Sequence, residues 1–134
     1  MQAQILNLLC KLRKDFELTY LFISHDLGVV QHTSDSIAVM YMGKVVEYAD
    51  RLRLFQTPRH PYTQSLLSAA PTFDRTKRAQ QKRILIPDDP PNPINLPAGC
   101  RFANRCPVAV AICKSVEPEL KSGANSRRTT DHLV

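Results

Sequence analysis

The sequence predicts the edge of an α/β layer followed by a loop-rich tail that contains cysteines. Apolar residues first recur at helical spacing, then form a short run typical of a buried strand, and then form two runs joined at a glycine. Proline is absent from residues 1–57, whereas all ten prolines lie between Pro58 and Pro118. Because only one candidate for a parallel strand precedes the two joined runs, the α/β layer is expected to be incomplete.

The first predicted elements are a helix, a strand and a second helix. A helix over residues 2–16 is indicated by apolar residues at helical spacing, namely Ile5, Leu8, Leu9 and Leu12. The apolar run at residues 18–23 has the length and composition of a strand buried on both faces. Ser24 is the predicted N-cap of a helix that continues to about His32, with Asp26 in its first turn near the positive end of the helix dipole.

The next elements are a β-hairpin and two helices. Residues 36–42 and 44–48 are predicted strands, joined at Gly43. A short helix is predicted over residues 51–56. Another is predicted to begin at Pro61 and to continue to Ala70, because proline at the first helical position lacks only an N–H that would have no partner there.

The remaining chain is predicted to be loop-rich. Residues 72–83 are polar and basic, as in a surface linker, and residues 87–97 hold five prolines, which favour an extended strap. The tail after Gly99 is predicted to be a separate small unit. Arg101 and Arg105 in this tail are expected to be solvated.

Charge and hydropathy exclude several classes of protein. The formal net charge is +6, but the basic residues are scattered and are not interleaved with aromatic residues, so a nucleic-acid partner is not expected. No apolar run approaches the roughly 18 residues of a membrane span. The first residues lack the pattern of a signal peptide, so the cytoplasm is the expected compartment.

His25 directly follows the predicted strand at residues 18–23. In open α/β sheets, ligands bind beyond the carboxyl ends of the strands, where a neutral imidazole can donate a hydrogen bond to a phosphate oxygen. By position alone, a surface or helix-cap role is the preferred interpretation of His25. His60, which precedes the sequence Pro-Tyr-Thr, is interpreted as a structural clamp.

Three of the four cysteines are clustered in the tail. Cys100, Cys106 and Cys113 form the pattern C-x5-C-x6-C. In a cytosolic protein such clustering favours metal binding over disulfides, although the spacing differs from a zinc-ribbon pair and inert cysteines remain an alternative. Cys10, on the first predicted helix, is expected to be a small buried apolar group.

Several segments, taken together and in order, resemble one protein family. The sequences ISHDLGVV at residues 23–30 and SDSIAVMYMGKVVEYA at residues 34–49 resemble the switch-histidine region of ATP-binding cassette (ABC) ATPases. Residues 2–9 resemble the helix that follows the Walker B strand and D-loop in these proteins. The sequences His60-Pro-Tyr-Thr, SLLSA at residues 65–69, and GCRF with RCP at residues 99–107 are similar to ATP-binding subunits of oligopeptide and dipeptide importers.

The resemblance implies a division of the chain and a role for His25. Residues 1–70 would be the C-terminal part of an ABC ATPase domain, residues 71–99 a proline-rich linker, and residues 100–134 a cysteine unit typical of oligopeptide transporters. His25 would be the switch histidine, which contacts the γ-phosphate of ATP beside Mg²⁺ in the intact subunit. The implied partners are membrane permease subunits, a second ATP-binding subunit and, indirectly, an extracytoplasmic peptide-binding protein, at the cytoplasmic face of the membrane.

The resemblance also sets limits on activity. With glycines only at residues 28, 43, 99 and 123, the 134 residues contain no G-x-x-x-x-G-K-[ST] loop, and the signature and Walker B motifs are absent. The chain is therefore expected to be inactive alone. The alternative is a non-catalytic module that binds a metal or another subunit.

The family resemblance implies a cofactor for the cysteine unit. Some members hold a [4Fe–4S] cluster there, which would assign Cys100, Cys106 and Cys113 as ligands, but such clusters usually take four thiolates. With three, a cluster is expected to be labile or absent. His132 is an alternative fourth ligand, in a Cys3His zinc site.

Overall fold

A computed structural model describes residues 2–69, 84, 86, 94, 96–122 and 128–130. The chain divides into two compact units, Met1–Asp35 and Ser36–Val134. This division differs from the predicted boundaries at residues 70 and 99. Those boundaries rest on composition and family resemblance, and they stay predictions about family regions.

The first unit contains two helices, α1 (Gln2–Asp15) and α2 (Leu27–Thr33). Both were predicted, α1 from the spacing of its apolar residues and α2 from the capping residue at its start. The Arg13 guanidinium links them, because it donates a hydrogen bond to the Thr33 carbonyl at 3.2 Å and lies 2.5 Å from the Asp35 carboxylate. Glu17 has a φ of 51°, so the backbone turns just beyond the end of α1.

Asp26, and not the predicted Ser24, is the N-cap of α2. The Asp26 carboxylate accepts hydrogen bonds from the backbone N–H groups of Gly28 at 2.9 Å and Val29 at 3.2 Å. The Ser24 hydroxyl accepts one from the Asp26 N–H, at 3.0 Å. The prediction was wrong because the helix begins at Leu27, so only Asp26 is close enough to reach the unpaired N–H groups of the first turn.

The predicted strand at residues 18–23 is also wrong for this structure, because the segment pairs with no strand among the described residues. Its side chains still alternate. The rings of Tyr20 and Phe22 contact each other at 5.8 Å, whereas Leu21 is 91% exposed and Ile23 is 94% exposed. Strand geometry depends on ladder hydrogen bonds from a neighbour, which the apolar composition of the segment cannot supply by itself.

The second unit begins with the predicted hairpin, which is confirmed as β1 (Ser36–Tyr41) and β2 (Lys44–Asp50). Met42 and Gly43 form the turn, with φ values of 47° and 79°. A two-residue hairpin turn of this hand needs positive φ at both positions. Met42 therefore lies in the turn, whereas it was predicted to end the first strand.

A bulge in β2 connects the hairpin to the tail. Val39 pairs with Glu47 and Met40 pairs with Val45, which leaves Val46 as the extra residue. The Val46 carbonyl accepts hydrogen bonds from the N–H group of Thr130 at 2.9 Å and from its hydroxyl at 3.2 Å. The bulge thus provides an anchor for residues far along the chain.

The tail is not the separate unit that was predicted. It contributes β3 (Lys121–Ser122) and β4 (Arg128–Thr129) to an antiparallel four-stranded sheet of order β1-β2-β4-β3. Because these strands are only two residues long, they carry no periodicity that a sequence pattern can detect. The tail and the hairpin consequently share one compact unit.

The predicted helices of the second unit are confirmed as α3 (Arg51–Gln56) and α4 (Pro61–Ala69). The Asp50 carboxylate caps α3 by accepting a hydrogen bond from the Arg53 N–H at 3.0 Å. A 3₁₀ turn at Ala103–Arg105 and the one-turn helix α5 (Ile112–Ser115) complete the described tail. The predicted linker at residues 72–83 and most of the predicted strap at residues 87–97 lie outside the described residues.

The core of the second unit lies between the hairpin and the tail. Tyr41 and Val46 are 5% exposed and Phe102 is 1% exposed. The Tyr41 and Phe102 rings meet edge to face at 5.1 Å, and the Tyr62 ring from α4 lies 4.7 Å from Tyr41 and 5.5 Å from Phe102. Aromatic pairs at such separations add about 0.5–1.5 kcal/mol each to the stability gained from burial.

Candidate functional site

His25 lies at a bend between residues 18–23 and the Asp26-capped helix α2. Its side chain is exposed, so the imidazole is accessible to a ligand. The Asp26 carboxylate accepts hydrogen bonds from N–H groups at the N-terminus of α2, and these bonds fix the backbone beside His25. This arrangement allows His25 to present one hydrogen-bond donor to an anion, and it is compatible with both roles that the sequence left open.

The three tail cysteines converge on one small cavity. Cys100, Cys106 and Cys113 all line a space of about 20 Å³, together with His60 and Phe102. This volume suffices for about one water molecule. Cys113 is buried and the other two cysteines are half-buried. The predicted cysteine cluster is therefore brought together, in a different unit from His25.

A metal site at the three tail cysteines stays a prediction. Within the described ranges, no group of three or more His, Cys, Asp or Glu side chains is placed to hold a metal ion. The alternative fourth ligand His132 lies outside the described residues. The structure consequently gives no support to the iron–sulfur cluster that the family resemblance implied.

A buried carboxylate supports the segment that precedes α4. Glu47 on β2 is fully buried, and its carboxylate accepts hydrogen bonds from the N–H groups of Arg59 and His60, each at 3.0 Å. His60 is 2% exposed, and its Nδ1 accepts a hydrogen bond from the Tyr62 N–H at 3.2 Å. His60 therefore caps α4, which confirms its interpretation as a structural clamp.

No motif pointed to Glu47, although an acidic residue inside the apolar run VVEYA is itself a signal. Charged side chains are almost never fully buried unless they have partners. A glutamate between valine and tyrosine on a predicted strand therefore indicates a buried acceptor. Its donors, the N–H groups before α4, could not be identified without the fold.

The two tail arginines, which were expected to be solvated, instead bind the hairpin. Arg101 donates a hydrogen bond to the Met42 carbonyl at the hairpin turn. Arg105 donates one to the Tyr41 hydroxyl at 3.4 Å. The Lys44 ammonium also lies 3.1 Å from the Glu117 carboxylate. These contacts hold the cysteine-containing tail against β1 and β2.

The phenol of Tyr62 gives the second unit a dependence on alkaline pH. Burial, together with the neighbouring Tyr41, raises the pKa of Tyr62 above its ordinary value of 10.0, and Arg105 acts in the opposite direction. Because the folded state favours the neutral phenol, this contribution to stability is complete below pH 10 and is lost as the pH rises through the folded pKa.

We expect Tyr62→Phe to lose less stability than the unmodified chain between about pH 9 and pH 11. Urea unfolding at both pH values measures this, with Tyr20→Phe in the other unit as the control; equal losses for the Tyr62→Phe variant and the unmodified chain contradict it.

No helix in the described part of the chain is long and apolar enough to cross a membrane.

Comparisons with known proteins place these features in a family. Residues 46–113 match the family model described as "Oligopeptide/dipeptide transporter, C-terminal region". The chain is 48% identical over 132 residues to the oligopeptide transport ATP-binding protein AppF of Bacillus subtilis, covering 98% of this chain and 40% of that protein. It is 44% identical over 120 residues to the dipeptide transport ATP-binding protein DppF of Escherichia coli, covering 90% of this chain and 35% of that protein.

The matched residues and the sequence resemblance agree. The family region begins at the bulge residue Val46 and ends at Cys113, so it includes Glu47, His60 and the three tail cysteines. The chain spans about two fifths of the length of the relatives it matches. This chain belongs to the oligopeptide/dipeptide transporter family of ABC ATP-binding proteins, and it carries the C-terminal region of that family.

Proposed function

We propose that the chain is part of the ATP-binding subunit that energises peptide import by an ABC transporter. The observation that carries this proposal is the match of residues 46–113 to the family's C-terminal region, extended to 98% of the chain by the Bacillus subtilis relative. In this proposal two such subunits act beneath a pair of permeases at the cytoplasmic face of the membrane. An extracytoplasmic binding protein delivers the peptide to the permeases.

In the proposed subunit, His25 donates a hydrogen bond to the γ-phosphate of ATP. Its exposed position beside α2 supports this role, because the ring can meet a phosphate without rearrangement of the helix. Phosphoryl transfer depends mainly on positioning and on stabilising spread negative charge. A hydrogen-bond donor held at the terminal phosphate serves both purposes, while ATP and Mg²⁺ need further ligands that these residues do not provide.

The proposal implies that the described residues alone bind ATP with low affinity. One neutral hydrogen bond contributes about 1 kcal/mol net, whereas a dissociation constant of about 1 mM already requires about 4 kcal/mol. We expect titration calorimetry on the purified chain to show no ATP affinity stronger than millimolar, and a phosphate-release assay to show no turnover. A micromolar dissociation constant, or turnover that His25→Ala abolishes, contradicts this expectation.

A chimera tests the proposed function directly. Residues 1–134 replace the corresponding region of the Bacillus subtilis relative, whose identity of 48% makes the exchange feasible. We expect the chimera, assembled with that relative's own transport partners, to support ATP-dependent uptake of a labelled oligopeptide. A chimera that folds and binds ATP, yet neither hydrolyses it nor supports uptake, contradicts the proposal.

A further inference from the structure

We propose that Arg13 is a positioning residue for His25, because it holds both ends of the chain segment that carries this histidine. The proposal rests on the role of His25 at the γ-phosphate proposed above, and it gives Arg13 a part in that role without contact with ATP. Arg13 lies in the last turn of α1, and both residues belong to the first compact unit. The Arg13 backbone makes one attachment and its guanidinium makes the other.

The Arg13 backbone holds the start of the segment. Its carbonyl accepts a hydrogen bond from the Leu18 N–H at 3.0 Å, and Glu17 between them has a φ of 51°. This bond corresponds to the Schellman motif, in which an N–H group just beyond a left-handed residue bonds to a carbonyl of the last helical turn. The direction in which residues 18–23 leave α1 towards His25 is therefore set at Arg13.

The Arg13 guanidinium holds the end of α2. Its Nη1 donates a hydrogen bond to the Thr33 carbonyl at 3.2 Å, and its Nη2 lies 2.5 Å from the Asp35 carboxylate. Thr33 is the last residue of α2, where the helix dipole favours a cation and the carbonyls have no partner within the helix. The planar guanidinium presents several donors in a fixed arrangement, so one side chain reaches both acceptors.

His25 lies between these two attachments. Asp26 caps α2 directly after His25, so the histidine moves with the N-terminus of this helix. Because α2 has only 7 residues and is therefore about 10 Å long, an attachment at its C-terminal end also restrains its N-terminal end. Residues 18–23 pair with no strand among those described, which makes the contacts at the two ends more important for placing His25.

A small displacement of a hydrogen-bond donor is enough to lower turnover. Phosphoryl transfer depends mainly on positioning, and a misplacement of about 1 Å can lower a rate by about 10²-fold. Removing the guanidinium releases the end of α2 but keeps the bond to the Leu18 N–H, because the backbone makes that bond. The expected effect is therefore partial, and it is smaller than the effect of removing His25.

The first test introduces Arg13→Ala into the chimera described above, with and without His25→Ala. In the chimera that keeps His25, Arg13→Ala should lower kcat about tenfold and leave the KM for ATP within about twofold. In the His25→Ala background, the same substitution should change kcat by less than about twofold, because its effect passes through the imidazole. Arg13→Lys should retain part of the activity, since lysine keeps one charged donor.

Lys14→Ala is the matched control, because Lys14 is an exposed cation in the same last turn of α1. It removes the same charge as Arg13→Ala and should leave kcat within about twofold. Asp35→Ala should cost less than Arg13→Ala, because the hydrogen bond from Arg13 to the Thr33 carbonyl remains and the lost ion pair is exposed to solvent.

The second test uses the full chain and does not depend on ATP. Backbone ¹⁵N relaxation should show the His25 order parameter falling from about 0.85 towards about 0.6 in Arg13→Ala, and unchanged in Lys14→Ala. The order parameters of α1 show whether each variant is folded. If Arg13→Ala does not fold, Arg13→Lys replaces it and should show the same changes to a smaller extent.

The two tests separate this proposal from the function on which it rests. A chimera without turnover, or one in which His25→Ala has no effect, contradicts the proposed function, and the His25 order parameter then decides whether Arg13 positions this residue. The positioning role is overturned by an unchanged order parameter in Arg13→Ala. It is also overturned if Arg13→Ala lowers kcat equally in both backgrounds, or if Lys14→Ala lowers kcat as much as Arg13→Ala.

Discussion

His25→Ala in the chimera with the Bacillus subtilis relative is expected to lower ATP turnover by roughly 10²–10³-fold, the usual cost of removing one donor that stabilises charge in a transition state. ATP affinity should change little, because the ground-state triphosphate would retain the phosphate-binding groups supplied by the relative. The loss should therefore appear in kcat and not in KM. Steady-state hydrolysis and a separate nucleotide-binding titration measure the two effects.

His32→Ala is the matched control for this prediction. His32 is another exposed histidine of the first unit, and its Nδ1 lies 3.1 Å from the Gly28 carbonyl on the same helix. Its removal should leave ATP turnover within about twofold, because the proposal gives His32 no contact with ATP. Surface substitutions also usually change stability by less than about 0.5 kcal/mol, so the fold should be retained. Equal losses for the two variants, or an unchanged kcat for His25→Ala, contradict the assignment of His25 to the γ-phosphate.

Glu47→Ala is expected to destabilise the second unit by about 3 kcal/mol. The substitution removes a fully buried acceptor and leaves the N–H groups of Arg59 and His60 without it, and each hydrogen bond to a charged group contributes about 1.5–3 kcal/mol. Glu47→Gln should cost less, because the amide oxygen can still accept one of the hydrogen bonds. Urea unfolding measures both losses.

Two further measurements distinguish the role of Glu47 as a buried acceptor from a general effect of losing a carboxylate. Hydrogen exchange at the Arg59 and His60 amides should accelerate most, since these groups lose their acceptor directly. Glu117→Ala, which removes a half-exposed partner of Lys44, should cost less than about 1 kcal/mol. If Glu47→Ala and Glu117→Ala cost the same, the buried carboxylate does not hold the start of α4.

Local sequence patterns predicted the elements whose geometry is determined by near neighbours. The glycine after Met42 indicated the hairpin turn, and Pro61 indicated the start of α4. Both depend on backbone preferences within one or two residues. The misplaced N-cap of α2 shows the limit of this approach, because Ser24 and Asp26 are both good capping residues and only the register of the helix decides between them.

Contacts between distant residues could not be predicted from such patterns. The pairing of Thr129 with Glu47 and the hydrogen bond from Arg101 to the Met42 carbonyl depend on the path of the tail across the hairpin. The strand predicted at residues 18–23 was wrong for the opposite reason. Its composition suits a strand, but no described neighbouring strand pairs with it. For the site, the sequence identified the cysteines that share a cavity, and their role as metal ligands stays a prediction. His25 remains a prediction.

The hydrogen bond from Thr130 to the Val46 carbonyl affects how the nascent chain folds during synthesis. Neighbouring strands form a hairpin within microseconds, but this hydrogen bond can form only after the ribosome has synthesised Thr130. Until then the outer edge of β2 is open to any passing strand, which is a recognised route to aggregation. Synthesis that pauses between these two residues should therefore lower the yield of correctly assembled protein.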